Sequence, residues 1–209
     1  ASVYDDLGLK RKALDAYNEA HRVLQLHVPP SHPHISSLEA NLANIYSDLG
    51  EVSRAMDLMQ DAIRSHENSD SYYELMGEYY NLGGVYMDIQ EYDNAYIYMS
   101  KSLAIADTLL PEIHAEKAKL YDGFGAIFIN QGKISEADSV FRMALVQRNG
   151  LEGDNFIGIA QSYFNLGLAA QNKGNQNMAY ENYKRSAALR LEFLGANHPQ
   201  TANSLVELA

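Results

Sequence analysis

Histidine, a frequent zinc ligand, is clustered near the start of the chain. His27, His32 and His34 fall within eight residues, and His32-Pro33-His34 has the form of a metal-binding pair. No cysteine or acidic residue stands beside them at zinc spacing. His114 lacks the His-Glu-x-x-His arrangement of a metalloprotease, and we expect it on a helix surface. The sequence therefore predicts no metal site.

Glycine pairs are the next candidates for chemistry. Gly83-Gly84 and Gly123-Phe124-Gly125 would suit a phosphate-binding loop only if a strand preceded them and a helix followed. Both groups instead lie within helical sequence. No serine stands in a nucleophile-elbow motif beside a candidate histidine and carboxylate. We therefore predict no catalytic residue and no cofactor, and expect that the chain is not an enzyme.

Amide and carboxylate side chains recur at regular intervals along the chain. One repeat position reads Asn41, Asn81, Gly123, Asn165 and Glu207. A second consists of Asp48, Asp88, Asn130 and Asn172. An amide offers both a donor and an acceptor, as an extended peptide backbone does. The two series therefore predict a surface that holds a peptide backbone; solvated polar surface is the alternative.

These side chains belong to a repeating pair of short helices. In the segment 41–63, apolar residues follow a helical period on both sides of Gly50, where glycine can end a helix in a left-handed conformation. The alanine after the turn recurs as Ala13, Ala55, Ala95, Ala137 and Ala179. The turn position recurs as Gly8, Gly50, Gln90, Gly132 and Gly174. One helix pair cannot bury both of its apolar stripes, so neighbouring pairs are expected to stack.

The columns of leucine, small residue, tyrosine, turn glycine and alanine resemble the tetratricopeptide repeat. The repeat here is 42 residues long, against about 34 in the usual form, and this longer unit is similar to the kinesin-light-chain type. SHPHISSLEANLA (31–43) and NHPQTANSLVELA (197–209) look like that family's His-Pro loop and first helix. The resemblance implies an all-α, right-handed superhelical solenoid of stacked antiparallel helix pairs.

The repeat register predicts a single solenoid over residues 1–209. Complete repeats are expected at 33–66, 70–109, 111–148 and 154–194, with partial repeats at 1–28 and 198–209. Because both ends fall within a repeat, we expect the chain to be a fragment of a longer protein.

Local signals predict several helix ends. Asp70 and Asp154 have the residue type of an N-cap, and Pro111 suits a first helical turn. Leu205 and Leu208 form an apolar pair three residues apart on the last helix. We expect that pair to lack a covering helix, which would favour weak end-to-end self-association.

The resemblance implies a function in binding proteins, because first helices of this family line a concave groove. Tyr80 and Phe164 are expected to offer apolar contact there, and Asn81 and Asn165 to be exposed. The residues expected to line the groove are Asn41, Asn44, Asp48, Tyr80, Asn81, Asp88, Lys119, Asp122, Asn130, Gln161, Phe164, Asn165 and Asn172. A partner peptide or helix is the expected ligand.

One variant of the family is a clamp for two carboxylates at the tail of a chaperone. Asn44, Asn81 and Lys119 match its positions, but Ala40 and Gly123 stand where the clamp has cations. Losing two of three cations removes most of the charge-assisted bonding to a carboxylate. The acidic groove residues would also repel such a tail, so we expect a neutral to basic protein or peptide partner.

Composition excludes several other classes of function. The net charge of −11 argues against binding to nucleic acid through phosphates. No apolar run reaches the length of a membrane span, so no membrane partner is expected. The absence of cysteine fits a cytoplasmic location. Two alternatives stay open: a sensory or autoinhibitory region of a larger regulator (a peptide-sensing transcription factor, sensor kinase or protease), or a scaffold that assembles through its repeat ends.

Overall fold

The computed structural model describes residues 10–29, 32–68, 71–153 and 155–208. Within these residues it contains ten α-helices and no β-strand. The helices are α1 (Lys10–Gln25), α2 (Pro33–Asp48), α3 (Val52–Asn68), α4 (Tyr72–Asp88), α5 (Tyr92–Leu109), α6 (Ala115–Asn130), α7 (Ile134–Gly150), α8 (Phe156–Asn172), α9 (Gln176–Leu194) and α10 (Pro199–Val206). The prediction of an all-α chain is confirmed.

The helices form two compact units, one ending at Ile105 and the other beginning at Ala106. In the first unit each of α1, α2 and α3 packs on the helix that follows it, and α2 also contacts α4. In the second unit α6 to α10 pack in the same sequential way, and α6 also contacts α8. First helices therefore lie beside first helices within each unit. The single solenoid over residues 1–209 stays a prediction.

The predicted alanine column lies at the centre of each helix pair. Its four members from Ala13 to Ala137 have no exposed surface, and Ala179 is 3% exposed. Large second-helix side chains face glycines on the first helices: a Cβ built on Gly125 would lie 2.1 Å from the Phe141 ring. Glycine at this position therefore lets the aromatic side chain pack directly against the helix backbone.

The turn column has a left-handed backbone wherever the structure describes it. The φ angles are 78° at Gly50, 63° at Gln90, 72° at Gly132 and 78° at Gly174. The N–H of the next residue then donates to a carbonyl five residues earlier, as Lys133 does to Phe128 at 2.8 Å. This is a Schellman cap, which satisfies the last carbonyls of a first helix. Gln90 alone holds that conformation without being glycine.

Histidine begins three of the first helices, which corrects the expectation for His114. Nδ1 of His114 accepts a hydrogen bond from the N–H of Glu116 at 3.1 Å. His32 and His198 cap α2 and α10 in the same way, with distances of 3.3 Å and 3.2 Å. These imidazoles take the place of the usual serine or aspartate cap. Their shared role is structural.

Other predicted helix ends were displaced by a few residues. Pro111 lies in a loop, so its placement in a first helical turn is wrong: α6 begins at Ala115. The N-caps of α4 and α8 are Ser71 and Asn155. Each follows by one residue the predicted caps Asp70 and Asp154, which lie outside the described residues.

Of the carboxyl-terminal apolar pair predicted to lack cover, only Leu205 is exposed. Leu205 is 44% exposed. Leu208 is partly buried and packs against a cluster of Ala170, Ala179 and Tyr183, so the expectation that it lacks cover is wrong. It follows the end of α10, where the chain turns back onto the preceding helix pair. Leu208 therefore serves the same core column as the first-helix leucines of the other repeats.

Candidate functional site

A cavity of about 320 Å³ opens on the first unit. Its lining consists of Asn44, Ser47, Asp48, Tyr80, Asn81, Gly84, Val85, Asp88 and Met99. Five of the predicted groove residues are thus brought together, two amides, two aspartates and a tyrosine. We call this feature the first-unit cavity.

Helical spacing explains why these side chains share the cavity. Asn44, Ser47 and Asp48 are separated by three and four residues on α2, which places them on one face of that helix. The lining residues of α4, from Tyr80 to Asp88, follow the same period. Met99 of α5 is buried and closes the base. The two first helices therefore supply the polar walls, and the second helix supplies an apolar floor.

The polar groups of the cavity differ in how far they are already bonded. Asp48 forms an ion pair with Lys10 of α1. Oδ2 of Asp88 accepts a long hydrogen bond from Ser47 Oγ at 3.4 Å, and within the described residues it has no cationic partner. The side-chain amides of Asn44 and Asn81 make no hydrogen bond to another described residue. One carboxylate and two amides are therefore open to a ligand.

The second unit arranges its predicted groove residues as a hydrogen-bonded network. Asp122 accepts from the guanidinium of Arg148 and, at 2.8 Å, from Nδ2 of Asn165. Oδ1 of Asn165 accepts from Nε2 of Gln161 at 2.8 Å. Oε1 of Gln161 accepts from Nη2 of Arg190 at 2.6 Å. We call this chain of contacts the second-unit network.

Two buried arginines of the second helices anchor the second-unit network. Arg148 Nη1 donates to Ser162 Oγ at 2.7 Å, and Arg190 Nη1 donates to Ser204 Oγ at 2.8 Å. The Arg190 guanidinium also lies 5.0 Å from the centre of the Phe164 ring, within reach of a cation–π interaction. Burial lowers the pKa of Arg190. These contacts orient the predicted groove residues, and they occupy groups that a ligand would otherwise use.

The expectation that Asn81 and Asn165 are exposed is wrong for both. Each is half-buried, and Asn165 is bonded on both its oxygen and its nitrogen. Asn165 is half-buried where it bonds to Asp122 and Gln161, whereas Asn81 is half-buried in the wall of the first-unit cavity. Asn81 retains its unbonded amide, whereas Asn165 does not.

The remaining predicted residues lie on exposed helix surface. Asn41, Asn130 and Asn172 each donate through Nδ2 to the carbonyl four residues earlier in their own helix, at 2.9 Å. Lys119 pairs with Glu116 within α6 at 2.7 Å. The structure therefore does not bring these four residues into either cluster.

Sequence reasoning missed the arginines and their partners. A sequence signal for them exists at the interface between successive repeats. There, one position on each second helix faces one position on the first helix of the next repeat, and both positions recur in the repeat register. The pairs are Leu24 with Leu38, His66 with Glu78, Ala106 with Leu120, Arg148 with Ser162, and Arg190 with Ser204. Two of the five pairs are apolar and three are polar. Its polar members lie in both units.

The polar pair in the first unit is His66 with Glu78. Nδ1 of His66 lies 4.0 Å from Oε1 of Glu78, and the two residues are 2% and 5% exposed. Burial lowers the pKa of His66. Burial, assisted by the nearby Glu39 carboxylate, raises the pKa of Glu78 to about 8. Near neutral pH both groups are therefore mainly uncharged, which suits a structural contact between repeats.

Metal sites and membrane spans are two other kinds of feature that a helical chain can carry. Among the described residues, no three histidine, aspartate or glutamate side chains converge as they would around a metal ion. The rings of His32 and His34 lie 5.0 Å apart, but His32 is engaged as a helix cap. No helix in the described ranges is long and apolar enough to cross a membrane.

Comparison with known families agrees with the repeat register. Two tetratricopeptide-repeat family models match this chain, one over residues 40–69 and the other over 79–108 and 160–192. The matched segments fall on α2 with α3, on α4 with α5, and on α8 with α9. These three segments are tetratricopeptide repeats.

Individual relatives indicate the kind of repeat. Protein KINESIN LIGHT CHAIN-RELATED 3 of Arabidopsis thaliana is 24% identical over 204 residues, which are 95% of this chain and 31% of that protein. The chain thus spans about a third of the curated relative. The crystal structure of BtubC (BKLC) from P. vanneervenii has a TM-score of 0.78 at 21% identity, covering 95% of this chain and 79% of that one. In sequence and in fold, the repeats are therefore similar to those of kinesin-light-chain-like proteins.

A second similar structure is that of a complex. The crystal structure of Rap protein complexed with Competence and Sporulation Factor matches with a TM-score of 0.77 and 18% identity, covering 99% of this chain and 61% of that one. At this identity the likeness shows the fold alone. The fold class is that of stacked helix pairs in tetratricopeptide-repeat solenoids, as the sequence predicted.

Proposed function

We propose that this chain is a non-catalytic protein-interaction module that binds a peptide or helix of a partner protein on its first-helix face. The observation that carries the proposal is the first-unit cavity, where the amides of Asn44 and Asn81 have no bond to another described residue. Asn44 is exposed and Asn81 is half-buried, so both amides can reach a ligand. Each amide offers a donor and an acceptor that match those of a peptide backbone.

The electrostatic balance supports a neutral to basic partner. The chain carries a net charge of −11, and the cavity adds the carboxylates of Asp48 and Asp88. A cytoplasmic partner is in keeping with a chain that has no cysteine. The volume of about 320 Å³ lies at the lower end of the range of about 300–1,000 Å³ typical of ligand pockets. It would hold one side chain of an extended partner, with the backbone along the amides.

The experiment is a pull-down with this chain as bait, followed by titration of the recovered partner. In the double variant Asn44→Ala/Asn81→Ala, each lost bond to the partner's backbone should cost about 0.5–1.5 kcal/mol. Affinity should therefore fall roughly 5- to 150-fold. The melting temperature should change little, because neither amide bonds within the described fold.

The matched control is Asn18→Ala, since Asn18 is exposed on α1, a second helix, and lies outside the cavity. It should bind as the parent does. If the double variant also binds as the parent does, while Leu205→Glu abolishes binding, the groove is not the site. The carboxyl-terminal end of the repeats would then be the interaction surface, as expected for a scaffold that assembles through its ends.

A second candidate is a sensory or autoinhibitory role within a larger regulator. The likeness to Rap protein complexed with Competence and Sporulation Factor favours it, as does the small share of the curated relative that this chain spans. The first-unit cavity would then hold a signalling peptide or a segment of the same protein. Sequencing the whole gene tests this candidate, because it requires a catalytic or DNA-binding domain in the same polypeptide.

A further inference from the structure

The first-unit cavity has counterpart positions in the second unit, given by the repeat register. Gly84 corresponds to Leu168, Asp48 to Asn130, Asp88 to Asn172, Tyr80 to Phe164, and Asn81 to Asn165. Four of these five pairs differ, and the differences are not random in kind. Carboxylates become amides, a phenol becomes a phenyl ring, and a glycine becomes a leucine. Only the asparagine is kept.

The glycine accounts for the depth of the cavity. A Cβ built on Gly84 would meet no atom within 4 Å, so packing does not require glycine there. Glycine within a helix costs about 0.5–1 kcal/mol relative to alanine. At the corresponding position the second unit has Leu168, whose side chain would project into the equivalent space. The first unit therefore keeps a destabilising residue at the point where a larger side chain would fill the cavity.

The charges account for the kind of ligand. Asp48 already binds one ammonium group, that of Lys10, which shows that a cation is accommodated at this rim. Asp88 has no such partner among the described residues. The half-buried Tyr80 adds an aromatic ring to the same wall, and aromatic faces attract guanidinium groups. Val85 and Met99 offer apolar surface for an aliphatic stem.

We propose that the first-unit cavity is a subsite for an arginine side chain of the partner. The guanidinium would donate to the Asp88 carboxylate and to the side-chain oxygens of Asn44 and Asn81. Arginine is favoured over lysine because its planar group presents five donors and stacks on aromatic rings. This proposal rests on the proposed function, since the arginine belongs to the partner segment that the first-helix face would bind.

The test uses N-acetyl-arginine amide as the probe, titrated into the isotopically labelled chain and followed by NMR. The probe should shift the backbone signal of Gly84 and the side-chain amide signals of Asn44 and Asn81. N-acetyl-citrulline amide has nearly the same shape without the charge, and should bind roughly tenfold more weakly. Raising the ionic strength should weaken only the arginine probe.

Two variants locate the binding. Gly84→Leu places the second unit's residue in the cavity and should abolish binding without lowering the melting temperature, because leucine favours the helix. The matched control is Gly77→Leu, in the same helix, where an added Cβ also meets nothing within 4 Å and which does not line the cavity. It should bind as the parent does. Asp88→Asn should lower the affinity for the arginine probe to that for the citrulline probe.

The outcomes separate this inference from the proposed function. The inference is overturned if the arginine probe causes no shifts, if citrulline binds equally well, or if Gly84→Leu binds like Gly77→Leu. In each of these cases the proposed function still stands if Asn44→Ala/Asn81→Ala weakens binding of the recovered partner. If that double variant has no effect on the partner while the arginine probe binds as described, the cavity is a cation site that the partner does not use.

Discussion

The two units carry similar side chains on their first helices but differ in what those side chains bind. In the first unit, Asn81 has no hydrogen-bond partner among the described residues, and it lines a cavity. In the second unit the equivalent Asn165 is held by Asp122 and Gln161. An asparagine at the same repeat position is thus open to a ligand in one unit, whereas in the other its side chain is hydrogen-bonded within the protein.

The difference between Asn81 and Asn165 originates in the neighbouring second helices. The second helices of the second unit carry Arg148 and Arg190, which are long enough to reach the first-helix face from the interface between repeats. The equivalent residues earlier in the chain are His66 and Ala106, and neither could span that distance. A groove residue is therefore available or not according to its neighbour, which no count of asparagines along the sequence can show.

The sharpest way to break this comparison is to remove Arg148. Arg148→Ala leaves the Asp122 carboxylate without its cation and Ser162 without its donor, so we expect a loss of about 3–5 kcal/mol in the free energy of unfolding. Urea denaturation followed by circular dichroism measures it. Arg142→Ala, on the same helix, removes an exposed pair with Asp138 and should cost at most about 0.5 kcal/mol. Equal costs for the two would contradict the network.

The buried pair in the first unit should make stability depend on pH. Because folding raises the pKa of Glu78 from 4.5 to about 8, the unfolded chain ionises at pH values where the folded protein keeps the proton. The free energy of unfolding should then decrease as pH rises, by about 1.4 kcal/mol per unit. Between pH 6.5 and 8.5 the loss is about 2 kcal/mol, since it stops near the folded pKa.

Glu78→Gln is the variant that isolates this effect. It removes the titrating group, so its stability should change less than the parent's between pH 6.5 and 8.5. The lowered pKa of His66 acts mainly below that group's ordinary value of 6.5, and parent and variant share what remains of its effect in this window. Denaturant titrations of both proteins at the two pH values give the comparison. Parallel losses in parent and variant would mean that Glu78 is not the source.

The smallest expected effect concerns the turns. Gln90→Gly relieves a left-handed conformation that suits glycine better, while making the unfolded chain more flexible; the net gain should be about 0.5–1 kcal/mol. Gly132→Gln makes the reverse change in the second unit and should destabilise it by a similar amount. Thermal melts measure both. If neither substitution shifts the melting temperature, the turn column does not limit the stability of either unit.

Much of the fold could be predicted from spacing alone. The alanine column is buried, the turn column is left-handed where it is described, and the helix pairs follow the 42-residue register. Such features depend on residues close in sequence or on a repeated contact, so they leave a periodic trace. The helix caps were harder, because an imidazole nitrogen at His114 does what serine or aspartate usually does.

The sequence by itself determined that this chain is a set of helix pairs with polar first-helix faces, since helical period and turn chemistry act locally. Only the tertiary structure decided which of those polar groups are open. Whether Asn165 or Asn81 can meet a ligand depends on side chains that come from other helices, among them Asp122 and Arg148. Hydrogen bonds between helices are set by distances of a few ångströms, and such distances are fixed by packing, not by position along the chain.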